Sequence, residues 1–184
     1  PMDFLTDTIR ELSDAQRAAL TLVFLYRSRL PRDTLNSNQK SLVAEKYGVS
    51  IIALGDALEQ MNGSFLSIRN ESSGSIWAFK HPTIADALSA ILMQRPVLVE
   101  LYVRGTKIET LLANAVCEGA EAVRDAVVIP ASIDELLVSR LIETPDEPNL
   151  NRSLFGFLCE RASESVLRSV ISLDKDLLYR RCTN

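Results

Sequence analysis

Apolar residues recur along this chain in two rhythms, and the switch between them predicts its elements. Ile84, Ala87, Leu88, Ile91 and Leu92 stand at i, i+3, i+4, i+7 and i+8, one apolar helical face. Just before it, Ile76-Trp77-Ala78-Phe79 is β-branched and aromatic and reads as a short strand. His81-Pro82 separates the two: Pro82 stops the strand and suits the first turn of a helix, and His81 falls at the N-cap.

Upstream, Ser13-Asp14-Ala15-Gln16 is a capping box that opens a helix carrying Leu20, Val23, Phe24 and Arg27, ending before Pro31. Asn36-Ser37-Asn38-Gln39 starts a second helix, with Leu42, Val43 and Tyr47 apolar and Gly48 closing it. Ser50 caps a third, whose stripe is Ile51, Leu54, Leu58 and Met61, ended by Asn62-Gly63. Phe65 to Ile68 reads as a strand, and residues 70–74 as a turn longer than the tightest hairpins. Three helices followed by a hairpin is the order of a winged helix-turn-helix, expected over Leu12–Lys80. With the helix after His81, it makes a first domain of residues 1–95.

Residues 96–184 read as an α-helical array of HEAT- or solenoid-like habit, with short helices joined by short connections and no repeat of fixed period. Pro96 opens a helix that stops at Gly105. Thr106-Lys107-Ile108-Glu109 reads as a second capping box, Glu118 to Val127 as helix, Val127 to Pro130 as extended, and Ser132 as the cap of the helix through Leu136, Leu137, Leu141 and Ile142. Thr144 to Pro148 is the clearest loop. Two helices follow, through Leu154 to Leu158 and Val166 to Ile171, and a last short one over Asp174–Arg181.

Composition narrows the function. The chain has 184 residues, 47% hydrophobic and 24% charged, with net charge −4. It therefore exerts no general pull on nucleic acid or an anionic membrane. No run is long enough to span a bilayer. Three cysteines, Cys117, Cys159 and Cys182, are widely spaced and read as reduced thiols of a cytoplasmic protein. The Pro-Met opening reads as an internal start of a longer protein.

A winged helix first suggests DNA binding, with Ser50–Met61 as recognition helix. Gly48 to Ile68 contains no Lys or Arg, however, while Asp56 and Glu59 are acidic. Phosphate contacts need cations, so DNA is a disfavoured partner. Nothing assembles a catalytic centre: there is no GxxxxGK[ST], no GxSxG, one histidine, and no cysteine pair at metal-ligand spacing. The residue left with a chemical role is His81, as a helix cap or as a phosphate donor at a helix N-terminus.

Phe79-Lys80-His81-Pro82-Thr83-Ile84-Ala85-Asp86-Ala87-Leu88 resembles the Phe-x-His-x-[Ser/Thr] segment of winged-helix domains in STAND-type NTPases, including NACHT-type and bacterial novel-STAND proteins. The opening Ser13 to Leu20 is similar to that group as well, and the likeness covers about Leu12–Arg104. It implies that His81 contacts the β-phosphate of ADP and holds an off state. An upstream NTPase core of the same protein would supply ADP or ATP with Mg. The helical array would sense a protein or phage-derived trigger, in cytoplasmic anti-phage signalling and with possible oligomerisation. The phosphate loop and Walker B acid are missing from this chain, so it is not itself expected to be an enzyme. Two other readings stay open: a DNA-binding regulator, and a protein-binding helical scaffold whose His81 is only a cap.

Overall fold

A computed structural model describes residues 2–33, 38–121, 123 and 126–175. The chain is mainly helical with a little sheet and divides into two compact units, Pro1–Arg95 and Pro96–Asn184.

The first unit opens with α1 (Met2–Glu11), which the apolar pattern had not marked. α1 packs on α5 (Pro82–Met93), seating Ile9 in the core. α2 (Asp14–Leu25) starts at the expected capping box. The Ser13 hydroxyl accepts the Gln16 N–H at 3.3 Å, and Gln16 Oε1 accepts the Ser13 N–H at 3.1 Å. The helix is closed without glycine: Ser28 N–H bonds Val23 O and Arg27 N–H bonds Phe24 O, both at 2.9 Å, a Schellman closure. Arg27 and Ser28 both hold positive φ, 53° and 62°.

α3 (Asn38–Tyr47) ends at Gly48 with φ 65° and the same pair of closing bonds, as its pattern predicts. The Asn36-Ser37 start lies outside the described residues. α4 (Ile51–Gln60) is capped by Ser50, whose hydroxyl takes the Ala53 N–H at 3.0 Å. β2 (Leu66–Glu71) and β3 (Gly74–Phe79) pair antiparallel from Leu66↔Phe79 to Glu71↔Gly74. The expected longer turn is thereby corrected. Asn70, Glu71 and Gly74 belong to the ladder, and Ser72-Ser73 alone connect the strands. A further strand, β1 (Leu30–Pro31), pairs antiparallel with β3 at Leu30↔Trp77, giving the order β1-β3-β2. Ala18, Leu20, Leu54, Leu66, Ala78 and Leu88 fill the interior, each 0–1% exposed.

The second unit contains α6 (Pro96–Gly105), α7 (Ile108–Asn114), α8 (Asp134–Ile142), α9 (Pro148–Glu160) and α10 (Glu164–Leu173). It is not built of helices alone. β4 (Ala115–Cys117) and β5 (Val127–Ile129) pair in parallel, Ala115↔Val127 to Cys117↔Ile129. The helix expected over Glu118–Val127 does not form: its described residues are turn, loop and the first residue of β5. Val127-Val128-Ile129 has strand propensity, and a ladder with β4 outcompetes a short helix that lacks a cap.

Two expected caps are also corrected. Lys107, not Thr106, is the N-cap of α7, so Glu109 falls one position short of closing a box, and Lys107 makes no side-chain cap bond. Thr106 is 1% exposed, and its hydroxyl has no hydrogen-bond partner among the described residues. Ser132 lies inside a single 3-10 turn, Ala131–Ile133, that precedes α8. The Ala131 N–H there is taken by Glu118 Oε2 at 3.1 Å. The Thr144–Pro148 loop and the α9 and α10 patterns stand, and the Ser163 hydroxyl caps α10. Asp174 and Lys175 are not helical, and the rest of the expected last helix lies outside the described residues. Leu101, Leu111, Ile129, Leu137 and Phe157 form the core.

Candidate functional site at the β3–α5 junction

His81 sits where β3 hands over to α5, on a mount fixed from several sides. The end of β3 is held by Phe79: its N–H donates to the Ser28 hydroxyl at 2.6 Å, and its carbonyl accepts from Arg69 Nη2 at 3.3 Å. The Lys80 N–H reaches Phe65 O at 2.9 Å, and its ammonium bonds Gly63 O. His81 is extended (φ −139°, ψ 142°), as an N-cap must be, and Pro82 follows at the first helical position.

The imidazole serves the helix directly. Nδ1 accepts the Thr83 N–H at 3.3 Å and lies 2.8 Å from Thr83 Oγ1. A ring nitrogen that accepts an amide proton carries no hydrogen, so in the neutral ring the proton is on Nε2. His81, Pro82 and Thr83 are all exposed.

This geometry changes the chemistry expected of the helix start. Pro82 has no N–H, that of Thr83 is taken by His81 Nδ1, and that of Ile84 bonds the His81 carbonyl at 3.1 Å. The bouquet of backbone donors that commonly binds phosphate at a helix N-terminus is largely spent. The Nε2–H of His81 remains as an exposed side-chain donor, while the Thr83 hydroxyl donates to Nδ1. Asp86, one turn along, is exposed and makes no bond to either.

The surface expected for DNA has little to offer a polyanion. α4 exposes Ile51 (41%), Ile52 (77%), Asp56 and Glu59. Nearby cations are engaged with acids of the chain: Arg32 Nη2 with Glu59 Oε1 at 2.8 Å, and Arg29 Nη2 with Glu71 Oε2 at 2.5 Å.

The pattern gave no warning of a polar cleft of about 420 Å³ lined by Arg32, Asp33, Lys40, Glu59, Ser75 and Trp77. The Arg32 guanidinium lies 5.2 Å from the centre of the Trp77 ring, and Lys40 is only 6% exposed. These residues come from separated stretches that only the fold brings together. The one available signal was Lys40 in the first turns of a helix otherwise read for its apolar residues.

Among the described residues no group of three or more His, Cys, Asp or Glu could hold a metal ion. Nor is any helix among them long and apolar enough to cross a membrane. Cys117 is buried, and burial pushes its thiol above the ordinary value of 9.0. Burial likewise raises the Tyr47 phenol, which shares a 2.8 Å hydrogen bond with Thr21. No family model, characterised protein or solved structure matches the chain.

Proposed function

We propose that this chain is the regulatory segment of a STAND-like signalling NTPase, with His81 holding a nucleotide-bound off state. Its first unit is read as a winged helix. The succession α2, β1, α3, α4, β2, β3 with sheet order β1-β3-β2 supports that reading, because a two-residue hairpin on a helical trio is the wing's construction. The second unit is read as a helical array that receives the trigger.

The observation that carries the proposal is the division of labour in one ring. His81 Nδ1 is committed to its own helix, which fixes the ring, while Nε2 makes no bond within the described residues on an exposed corner. A charge-assisted contact from such a donor to a phosphate is worth about 1.5–3 kcal/mol. That biases a docking equilibrium by roughly one to two orders of magnitude. With so few backbone donors left beside it, His81 contributes to a nucleotide held mainly by another domain. The chain alone then has weak affinity for ADP.

His81 is the only histidine of this sequence, so labelling this segment alone leaves its imidazole as the one labelled histidine signal even beside an NTPase core. In a protein carrying an NTPase core, Mg-ADP shifts the His81 ring resonances. His81→Asn keeps a competent cap but releases signalling without a trigger. A ring signal that ignores saturating ADP, together with an Asn variant that stays off, overturns the proposal.

Reading the first unit as a DNA-binding module has the winged topology in its favour and the charge distribution against it. A log K against log salt slope near zero for DNA excludes it. A scaffold in which His81 is only a cap predicts that His81→Asn is silent in every assay.

A further inference from the structure

In the second unit α8 and α10 flank a groove of about 340 Å³, lined by Asp134, Glu135, Val138, Ile142, Glu143 and Leu173 among others. Among the described residues its lining holds three carboxylates and no Lys or Arg. Val138 and Ile142 give an apolar floor, and Leu173 stands at its edge 70% exposed, with Ile171 on the same helix 43% exposed. Ser165 Oγ on α10 donates to Asp134 Oδ2 on α8, tying the two walls together at one end. Asp134 Oδ1 is buried without a hydrogen-bond partner among the described residues.

The two ends of α8 differ in what explains their acids. Asp134 and Glu135 lie in its first turn, where the helix dipole favours negative charge. Glu143 is the C-cap, where the dipole opposes it. Among the described residues its one side-chain bond is from the Ser139 hydroxyl, at 3.1 Å, which does not neutralise it. An acid kept against the dipole beside an open apolar floor, with Arg140 one turn back as the helix's own basic residue there, offers a partner of opposite charge a place to pair. Glu135 and Glu143 are eight residues apart on one helix, about 12 Å along its axis.

We propose that this groove docks a partner peptide segment with an apolar centre and basic side chains about 12 Å apart, one for each acidic end. The apolar residues cover Val138, Ile142 and Leu173, and guanidinium groups meet Glu135 and Glu143, where planar bidentate pairing is available. This does not rest on the nucleotide reading, and the two fail separately.

The probe is a short fluorescein-labelled peptide of alternating leucine and arginine pairs, titrated into the full chain and followed by anisotropy. Saturable binding is expected. Glu143→Gln should weaken it about tenfold while leaving the chain as stable or slightly more so, because the acid opposes the dipole. Ile142→Ser should weaken it as well, and a glutamate version of the peptide should not bind. No binding by a folded chain overturns the proposal. So does binding that ignores Glu143→Gln and Ile142→Ser, which would mark general attraction to an acidic surface. A third outcome also overturns it: the wild type is silent and a Leu177→Ser, Leu178→Ser variant binds, which would make the chain's own terminal segment the occupant.

Discussion

Two stretches carry the same local signature and fold differently. Ser13-Asp14-Ala15-Gln16 closes into a reciprocal capping box, while Thr106-Lys107-Ile108-Glu109 misses by one residue and leaves the Thr106 hydroxyl buried without a partner. The difference lies in what surrounds each. Ser13 is exposed, so nothing but the helix competes for its hydroxyl. Thr106 closes α6 from the core: its N–H bonds Tyr102 O at 3.0 Å and its carbonyl accepts Arg140 Nη2 at 2.8 Å. Burial and long-range bonds hold that backbone, and the cap falls on Lys107. A cap signal is decisive where the chain is otherwise free, and yields where tertiary contacts already hold it.

The largest test of this contrast removes a long-range contact. Ile129→Ala, at a fully buried position of β5, should cost about 2–5 kcal/mol in urea unfolding. A loss below about 1 kcal/mol would mean the parallel pair is peripheral to its unit. Ser13→Ala should cost about 1 kcal/mol, since the box is made. Thr106→Val should have the opposite sign, neutral to about 1 kcal/mol stabilising, because an unsatisfied buried hydroxyl leaves and its shape stays. Equal losses at Ser13 and Thr106 would erase the distinction.

A weaker effect depends on pH. Burial raises the Cys117 thiol in the folded state, so the folded chain binds more protons than the unfolded chain in alkali. That stability is whole below the ordinary pKa of 9.0 and declines as pH rises past it toward the folded value. Chemical denaturation should show the decline setting in as pH passes 9.0, and Cys117→Ala should reduce it, leaving the part due to the buried Tyr47 phenol above pH 10.0. The smallest effect is at the left-handed Arg27. Arg27→Gly relieves backbone strain but frees the unfolded chain, so the net gain should stay within about 0.5 kcal/mol by thermal melts.

The features legible in the sequence are those decided within a few residues. Ser13 and Ser50 open their helices and Gly48 closes its own as read, His81 caps α5, and Pro82 follows it. What escaped depends on distant partners. Leu30-Pro31 is a strand only because Trp77 lies opposite, 47 residues later. β4 and β5 define each other across the stretch misread as helix, and α1, with little pattern of its own, is held by α5. At the candidate site the cap of His81 could be foreseen. The missing N–H of Pro82 was equally legible, but the loss of the Ile84 donor was not, because that follows from its 3-10 bond to the His81 carbonyl. The Arg32–Trp77 cleft needed β1, β3, α3 and α4 to be assembled first.

The indole beneath the Arg32 guanidinium is the chain's sole tryptophan. Its emission therefore reports one address. Anything that enters the cleft, or that pulls Arg32 away from Glu59, alters the field and the collisional quenching around that single fluorophore. The protein thus carries its own optical gauge, and small-molecule libraries can be screened against it without a label.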